Sequence, residues 1–133
     1  MMDINLKLEV SDQFLWDVLC TAVEGGSNYW AQFKTLERYE GEHGPEHARV
    51  RVTEYGDADS AVSRKEIGLT DLAEGMRRIM TRTMDKPEDH ANVHSSHSGA
   101  LLVAVVEDDA GQVDGELADL ILQAAMFGHI VYG

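Results

Sequence analysis

From Leu117 to Phe127 the chain places apolar residues at every position except Asp119 and Gln123. A helix of that composition has almost no solvent face, so it must lie inside the molecule. Asp114 stands where a helix N-cap is wanted and Gly128 where a left-handed residue ends the helix. Beyond it, Ile130, Val131 and Tyr132 read as a short closing strand. Glu116, Asp119 and Gln123 are three and four residues apart, so their side chains share one direction.

The other elements must be arranged to cover that helix. Ile4, Leu6, Leu8 and Val10 alternate with polar residues, the period of a half-buried strand. Ser11 or Asp12 then caps a helix whose apolar stripe is Phe14, Leu15, Val18, Leu19 and Ala22, with Trp16 at its edge and Gly25-Gly26 ending it near Glu24. Phe33, Leu36 and Tyr39 suit one face of a short helix and equally a loop, and residues 40–46 read as a solvent loop. Residues 48–55 alternate as a strand with Arg49 and Arg51 outward. Gly56, Asp57 and Asp59 form a turn into an antiparallel return over 61–67. Thr70 and Asp71 open a helix packed through Leu72, Met76, Ile79, Met80 and Thr83, while Arg77, Arg78 and Arg82 form the strongest positive cluster. In the run 100–106 the β-branched valines favour a strand. The run's length and the serines before it favour a helix from about Ser98 to Asp108, the preferred reading. The expectation is one α+β domain spanning residues 1–133. A small, mainly antiparallel sheet packs against three or four helices, with a buried C-terminal helix and a short terminal strand.

Composition limits the function. A chain of 133 residues can bury a single core. It has no long apolar span and no signal-like start, which predicts a cytoplasmic protein outside the membrane. Its one cysteine, Cys20, excludes an internal disulfide and reads as a small buried thiol. The formal charge is −13, and after Arg82 only Lys86 opposes nine acids. Such a field repels nucleic acid and attracts a basic protein surface.

Candidate site residues gather in two places. In Glu24, Gly25, Gly26, Ser27, Asn28, Tyr29 and Trp30, paired glycines bring backbone close to two large rings. That turn suits either a ligand or partner surface or a plug for the open end of the helix layer. Glu24 beside the rings is a candidate acid or base. Asp119 and Gln123 supply the second group, and the Gln123 amide is expected to bond the backbone at Gly25 or Gly26, or the Tyr29 hydroxyl. His90, His94 and His97 are weak candidates for a metal, as is the His43/His47 pair, which Gly44 and Pro45 disfavour. The acids around Gly111 miss the calcium-loop register and read as caps, with a weak Mg²⁺ or Ca²⁺ site as the alternative. No cofactor is expected.

The early Glu24, Gly25, Gly26, Tyr29, Trp30 block resembles that of a group of small bacteriophage and prophage proteins. So does the late block of Ala118, Asp119, Gln123, Ala125, Phe127, Gly128, Val131, Tyr132 and Gly133. The resemblance implies a phage setting, where small acidic accessory proteins act on host machinery, and it implies no reaction. The leading expectation is an accessory protein that binds a basic surface of a host protein and inhibits a nucleic-acid-handling or defence system. The alternatives are a small-ligand or nucleotide-binding enzyme using the glycine–aromatic turn, and a phage structural or assembly component. Homo-oligomerisation is left open.

Overall fold

The computed structural model describes residues 1–41, 44–55, 60–85 and 93–133. Helix α1 (Asp12–Thr21) is capped by the Ser11 hydroxyl, which accepts the Phe14 N–H. The helical path ends near Glu24, as expected, through a wider π turn, Ala22–Gly26. Strands β1 (Ala31–Gly41), β2 (Gly44–Glu54) and β3 (Ser63–Ile67) form one antiparallel sheet in the order β1-β2-β3. Helices α2 (Leu69–Thr81), α3 (Ser95–Glu107) and α4 (Gly115–Phe127) follow, with a 3₁₀ turn, Ala110–Gln112, between the last two. The result is the expected α+β arrangement of a three-stranded antiparallel sheet against four helices. Among the described residues, no helix is long and apolar enough to cross a membrane.

Helix α4 is the buried centre. Its residues from Leu117 to Ala124 are all buried, its cap Asp114 accepts the Leu117 N–H, and Gly128 ends it at φ 75°. Val50, Val52 and Ile67 present the inner face of the sheet to this core, and Leu72, Met76 and Ile79 add the face of α2. After Gly128 the chain closes in a short strand-like run outside the three-stranded sheet, its backbone paired by the Gln123 side chain.

Several local expectations change. Residues 31–41 are a strand, not a helix or loop, and the expected solvent loop contracts because Glu40–Gly41 and Gly44–Glu46 belong to β1 and β2. The register shifts around Leu36 explain the misleading spacing: an extra residue converts an alternation of two into an apolar interval of three. Residues 4–10 form no strand, and Ile4 and Leu6 are exposed. Alternation states which faces a segment can offer, not that a sheet edge is there to receive it. Helix α2 begins at Leu69 after Gly68. Asp71, not Thr70, satisfies its start by accepting the Gly68 N–H at 2.9 Å. Thr83 is exposed, so the packed face of α2 stops short of it. Arg77 and Arg78 are drawn off by Glu74 and Asp85. Residues 100–106 lie within helix α3, as preferred. Gly56, Asp57, Asp59, His43 and His90 lie outside the described residues.

Helices α2 and α4 approach closely at Gly75, where an added Cβ would stand 2.5 Å from the Ile121 carbonyl oxygen and 3.0 Å from the Ala125 Cβ. In an exposed helix, Gly→Ala gains about 0.5–1 kcal/mol. Here overpacking against backbone, on the order of 1–3 kcal/mol, outweighs that gain. Gly75→Ala is therefore expected to be net destabilised in chemical denaturation, and equal or greater stability would show that α2 and α4 are not this closely packed.

Candidate functional site

The polar stripe of α4 faces the residues that follow the glycine bend. Asp119, 5% exposed, accepts four hydrogen bonds. Ser27 Oγ (2.7 Å) and Trp30 Nε1 (2.8 Å) donate to one oxygen, and the Tyr29 hydroxyl (2.5 Å) and Gln123 Nε2 (2.9 Å) to the other. A carboxylate offers about four acceptor positions, so these donors fill them. Burial of the aromatic side chain drives Trp30 inward: about 150–250 Å² removed from water contributes on the order of 4–6 kcal/mol. Its N–H would cost about 1–3 kcal/mol if left unpaired. The apolar term thus decides that Trp30 is buried, and Asp119 decides how it is oriented.

Gln123, fully buried, makes one of the expected bonds, from Nε2 to the Tyr29 hydroxyl at 3.4 Å, and not the glycine ones. Its shorter bonds go elsewhere: Nε2 donates to Asp119 and to the Tyr132 carbonyl, and Oε1 accepts from the Val131 and Tyr132 N–H groups at 2.9 and 2.8 Å. Tyr132 then stacks on Trp30 with ring centres 5.3 Å apart, while its hydroxyl donates to Glu54 at the end of β2.

The glycine–aromatic turn therefore divides. Trp30 is a core plug, whereas Tyr29 is 57% exposed and lines an open cleft of about 260 Å³ with Glu116, Asp119, Leu120 and Tyr132. Trp30 and Gln123 stand behind that cleft. Gly26 lies so close to Gly115 that a Cβ would come within 2.5 Å of its carbonyl oxygen, so this glycine seats the bend on the start of α4. Gly25 meets nothing within 4 Å, and Asn28 is exposed away from the cleft lining. Glu24 points elsewhere, to His47, with 3.7 Å between Oε1 and Nε2. Cys20 is half-buried beside both. The sequence places Ser27 in the glycine–aromatic stretch and Tyr132 in the closing strand without giving either a task at the site, and it gives no signal for Glu54. A buried serine or glutamate has no local signature until its partner's position is known.

Burial, followed by the hydrogen bond to Asp119, pushes the Tyr29 phenol well above its ordinary range. Its proton is held by a group unable to share a second negative charge, which makes Tyr29 a donor and not a base. Burial pulls His47 down and pushes the Cys20 thiol up. His94 and His97 are used as caps: His94 Nδ1 accepts the Ser96 N–H, and His97 Nδ1 accepts the His94 N–H. The expected serine cap of α3 is thus a histidine. Asp109 and Asp114 cap the turns on either side of Val113.

No family model, curated protein or solved structure matches the chain. The arrangement of side chains therefore carries the functional reading. All four acceptor positions of the buried carboxylate are committed, the adjacent phenol is held as a donor, and the exposed acid of the cleft, Glu116, lies 3.4 Å from His97 Nε2. An exposed carboxylate beside aromatic rings can receive a cationic group.

Two outcomes are expected here. Gln123→Leu, which keeps the volume and removes the polar atoms, should destabilise by about 1–3 kcal/mol, because the tail can partly rehydrate when it comes loose. Amide exchange at Val131 and Tyr132 should accelerate with it, and unchanged exchange would show that Gln123 does not hold the tail. Alkaline titration followed by phenolate absorbance should show a late-ionising component, and Tyr29→Phe should reduce its amplitude by one tyrosine. The linkage has a definite sign: a raised folded-state value leaves its stabilisation intact below pH ~10 and loses it as pH climbs through the folded value.

Proposed function

We propose that this chain is an acidic, non-enzymatic phage or prophage accessory protein. It binds a basic surface of a host protein in the host cytoplasm and thereby inhibits a nucleic-acid-handling or defence system. The observation that carries the binding mode is the cleft that Glu116 lines together with Tyr29 and Tyr132 and with the apolar Leu120 and Ile130, Glu116 being exposed and 3.4 Å from His97. At about 260 Å³ it is smaller than most pockets that enclose a whole ligand, for which about 300 Å³ is a lower bound. It suits one lysine or arginine side chain, with the charge at Glu116 and the stem against the rings. The phage setting rests on the resemblance of the two sequence blocks.

Long-range attraction supports the same reading. Glu107, Asp108, Asp109, Asp114 and Glu116 are all exposed and follow one another across the end of α3 and the start of α4. The Ser11 hydroxyl donates to Asp108 at 3.4 Å, which brings the start of α1 and its Asp12 to this rim. A rim of one sign accelerates encounter with a basic partner and is weakened by salt. The enzyme alternative is less well supported because, of the carboxylates it would use, Asp119 already accepts four donors and Glu24 faces His47 and not the tyrosine cleft.

Affinity capture from host lysate tests the proposal. The wild-type chain is expected to retain a specific basic protein at low salt and lose it at high salt. Glu116→Lys, a change at an exposed position, should reduce capture by about tenfold. Capture that ignores both salt and Glu116→Lys, or no specific capture at low salt, would overturn it.

A further inference from the structure

A second cluster lies on the opposite side of the π turn from the tyrosine cleft. Cys20 is in the last turn of α1, Glu24 in the π turn four residues on, and His47 on β2. One ligand-type atom from each lies within 4.8 Å of the other two. The His47 Nε2 to Glu24 Oε1 separation is 3.7 Å. Metal–ligand bonds of about 2.0–2.3 Å in a tetrahedral site imply ligand-to-ligand edges of roughly 3.3–3.8 Å. The histidine–glutamate edge already meets that value. Glu24, whose side chain is 71% exposed, has the freedom to close the remaining distance to sulfur.

Two further features favour a cation here. His47 Nδ1 is 2.7 Å from Thr35 Oγ1, and when that nitrogen carries the proton and donates it, the Nε2 lone pair faces Cys20 and Glu24. An outer hydrogen bond of this kind sets tautomer and ring orientation in metal-binding histidines. The surroundings are also acidic. Asp17, Glu24 and Glu46 all act on the sulfur, and buried Glu46 is held by one neutral amide, Gln13 Nε2, at 2.9 and 3.0 Å. Arg38 is the cation that acts on His47. Three carboxylates around a thiol oppose an uncompensated thiolate nucleophile and attract a dication. Cys20 and Glu24 themselves line a cleft with Asp17, Thr21, Glu46 and Gly111, so this side of the cluster is open to solvent.

We infer that Cys20, Glu24 and His47 form a binding site for a Zn²⁺-type transition-metal dication, with one position open. Softness of the sulfur and the imidazole nitrogen select zinc or cobalt over magnesium and calcium, which take oxygen ligands. On binding, the Cys20 thiol proton leaves to solvent, and thiolate, carboxylate and neutral imidazole balance the metal charge. The inference does not depend on the proposed partner, since none of the three residues lines the tyrosine cleft.

Co²⁺ titration of tag-free protein tests it. One equivalent is expected to bind and to produce a sulfur-to-cobalt charge-transfer band that Zn²⁺ bleaches. Cys20→Ser should abolish the band, and Glu24→Gln, at an exposed position, should weaken binding by at least about tenfold. Thr35→Val should weaken it about 10–100-fold while keeping the band, as loss of an outer partner does. Circular dichroism of each variant confirms folding, and the Glu24→Gln and Thr35→Val results decide the matter should Cys20→Ser not fold. No saturable Co²⁺ binding, saturable binding without the charge-transfer band, or affinity unchanged in Glu24→Gln would overturn the site, the last two placing the ion on other histidines or surface acids.

Discussion

The interaction on which this molecule depends is the reception of four donors by the buried carboxylate of Asp119. A charged group taken out of water carries a large desolvation cost unless its acceptor positions are filled. Here each donor comes from a segment that must be in its native place: Ser27, Tyr29 and Trp30 from the turn before β1, and Gln123 from one turn along α4. The carboxylate therefore makes correct docking of the turn a condition for burying α4. Gln123 carries the same condition to the end of the chain, because its amide satisfies the backbone of Val131 and Tyr132. Positions 27–30 and 119–132 are far apart in sequence and close one polar network around one tryptophan.

This network explains how much of the fold could be read in advance. Helix α4, its Asp114 cap and its Gly128 end are written locally, in the spacing of apolar residues and the identity of the flanking ones. Strand β2 and the packed faces of α1 and α2 are written in the same spacing, whereas the continuous apolar run of α3 has no period and only its length and the serines before it favour a helix. Strand β1 is not, because the bulge around Leu36 breaks its period and its stability comes from pairing with β2. The N-terminal alternation fails in the opposite sense: Ile4, Leu6 and Leu8 have the right period and no partner strand. Period reports side-chain faces, whereas strand formation also requires a neighbour for the backbone.

The candidate site was legible to a similar depth. Asp119 and Gln123 stand out because they are the only polar residues between Leu117 and Phe127, and Tyr29 and Trp30 because two rings follow two glycines. Their pairing is visible as a direction, since the polar stripe must aim somewhere. The division of labour among them is not visible, because whether a ring plugs the core or lines a cleft depends on the tail, and Tyr132 fills the space over Trp30. The Cys20, Glu24 and His47 cluster has even less local signal. Cys20 and Glu24 share a helical spacing of four, but His47 arrives from β2 through the sheet, and no spacing along the chain announces it.

A single piece of irregular backbone positions both clusters. The π turn at Ala22–Gly26 gives Glu24 to the side occupied by His47, and the residues immediately after it give Ser27, Tyr29 and Trp30 to the side occupied by Asp119. Successive residues of an α-helix advance by about 100°, so one residue more or fewer in this segment would redirect everything beyond it by that angle. A π turn accommodates an extra residue without ending the hydrogen-bonded path, as the Ser27 N–H bonding to the Ala22 carbonyl at 3.0 Å shows. Gly26 then permits the bend to rest directly on the backbone of Gly115. The irregularity is what allows one turn to serve two faces: a regular helix would present Glu24 and Ser27, three residues apart, on the same side.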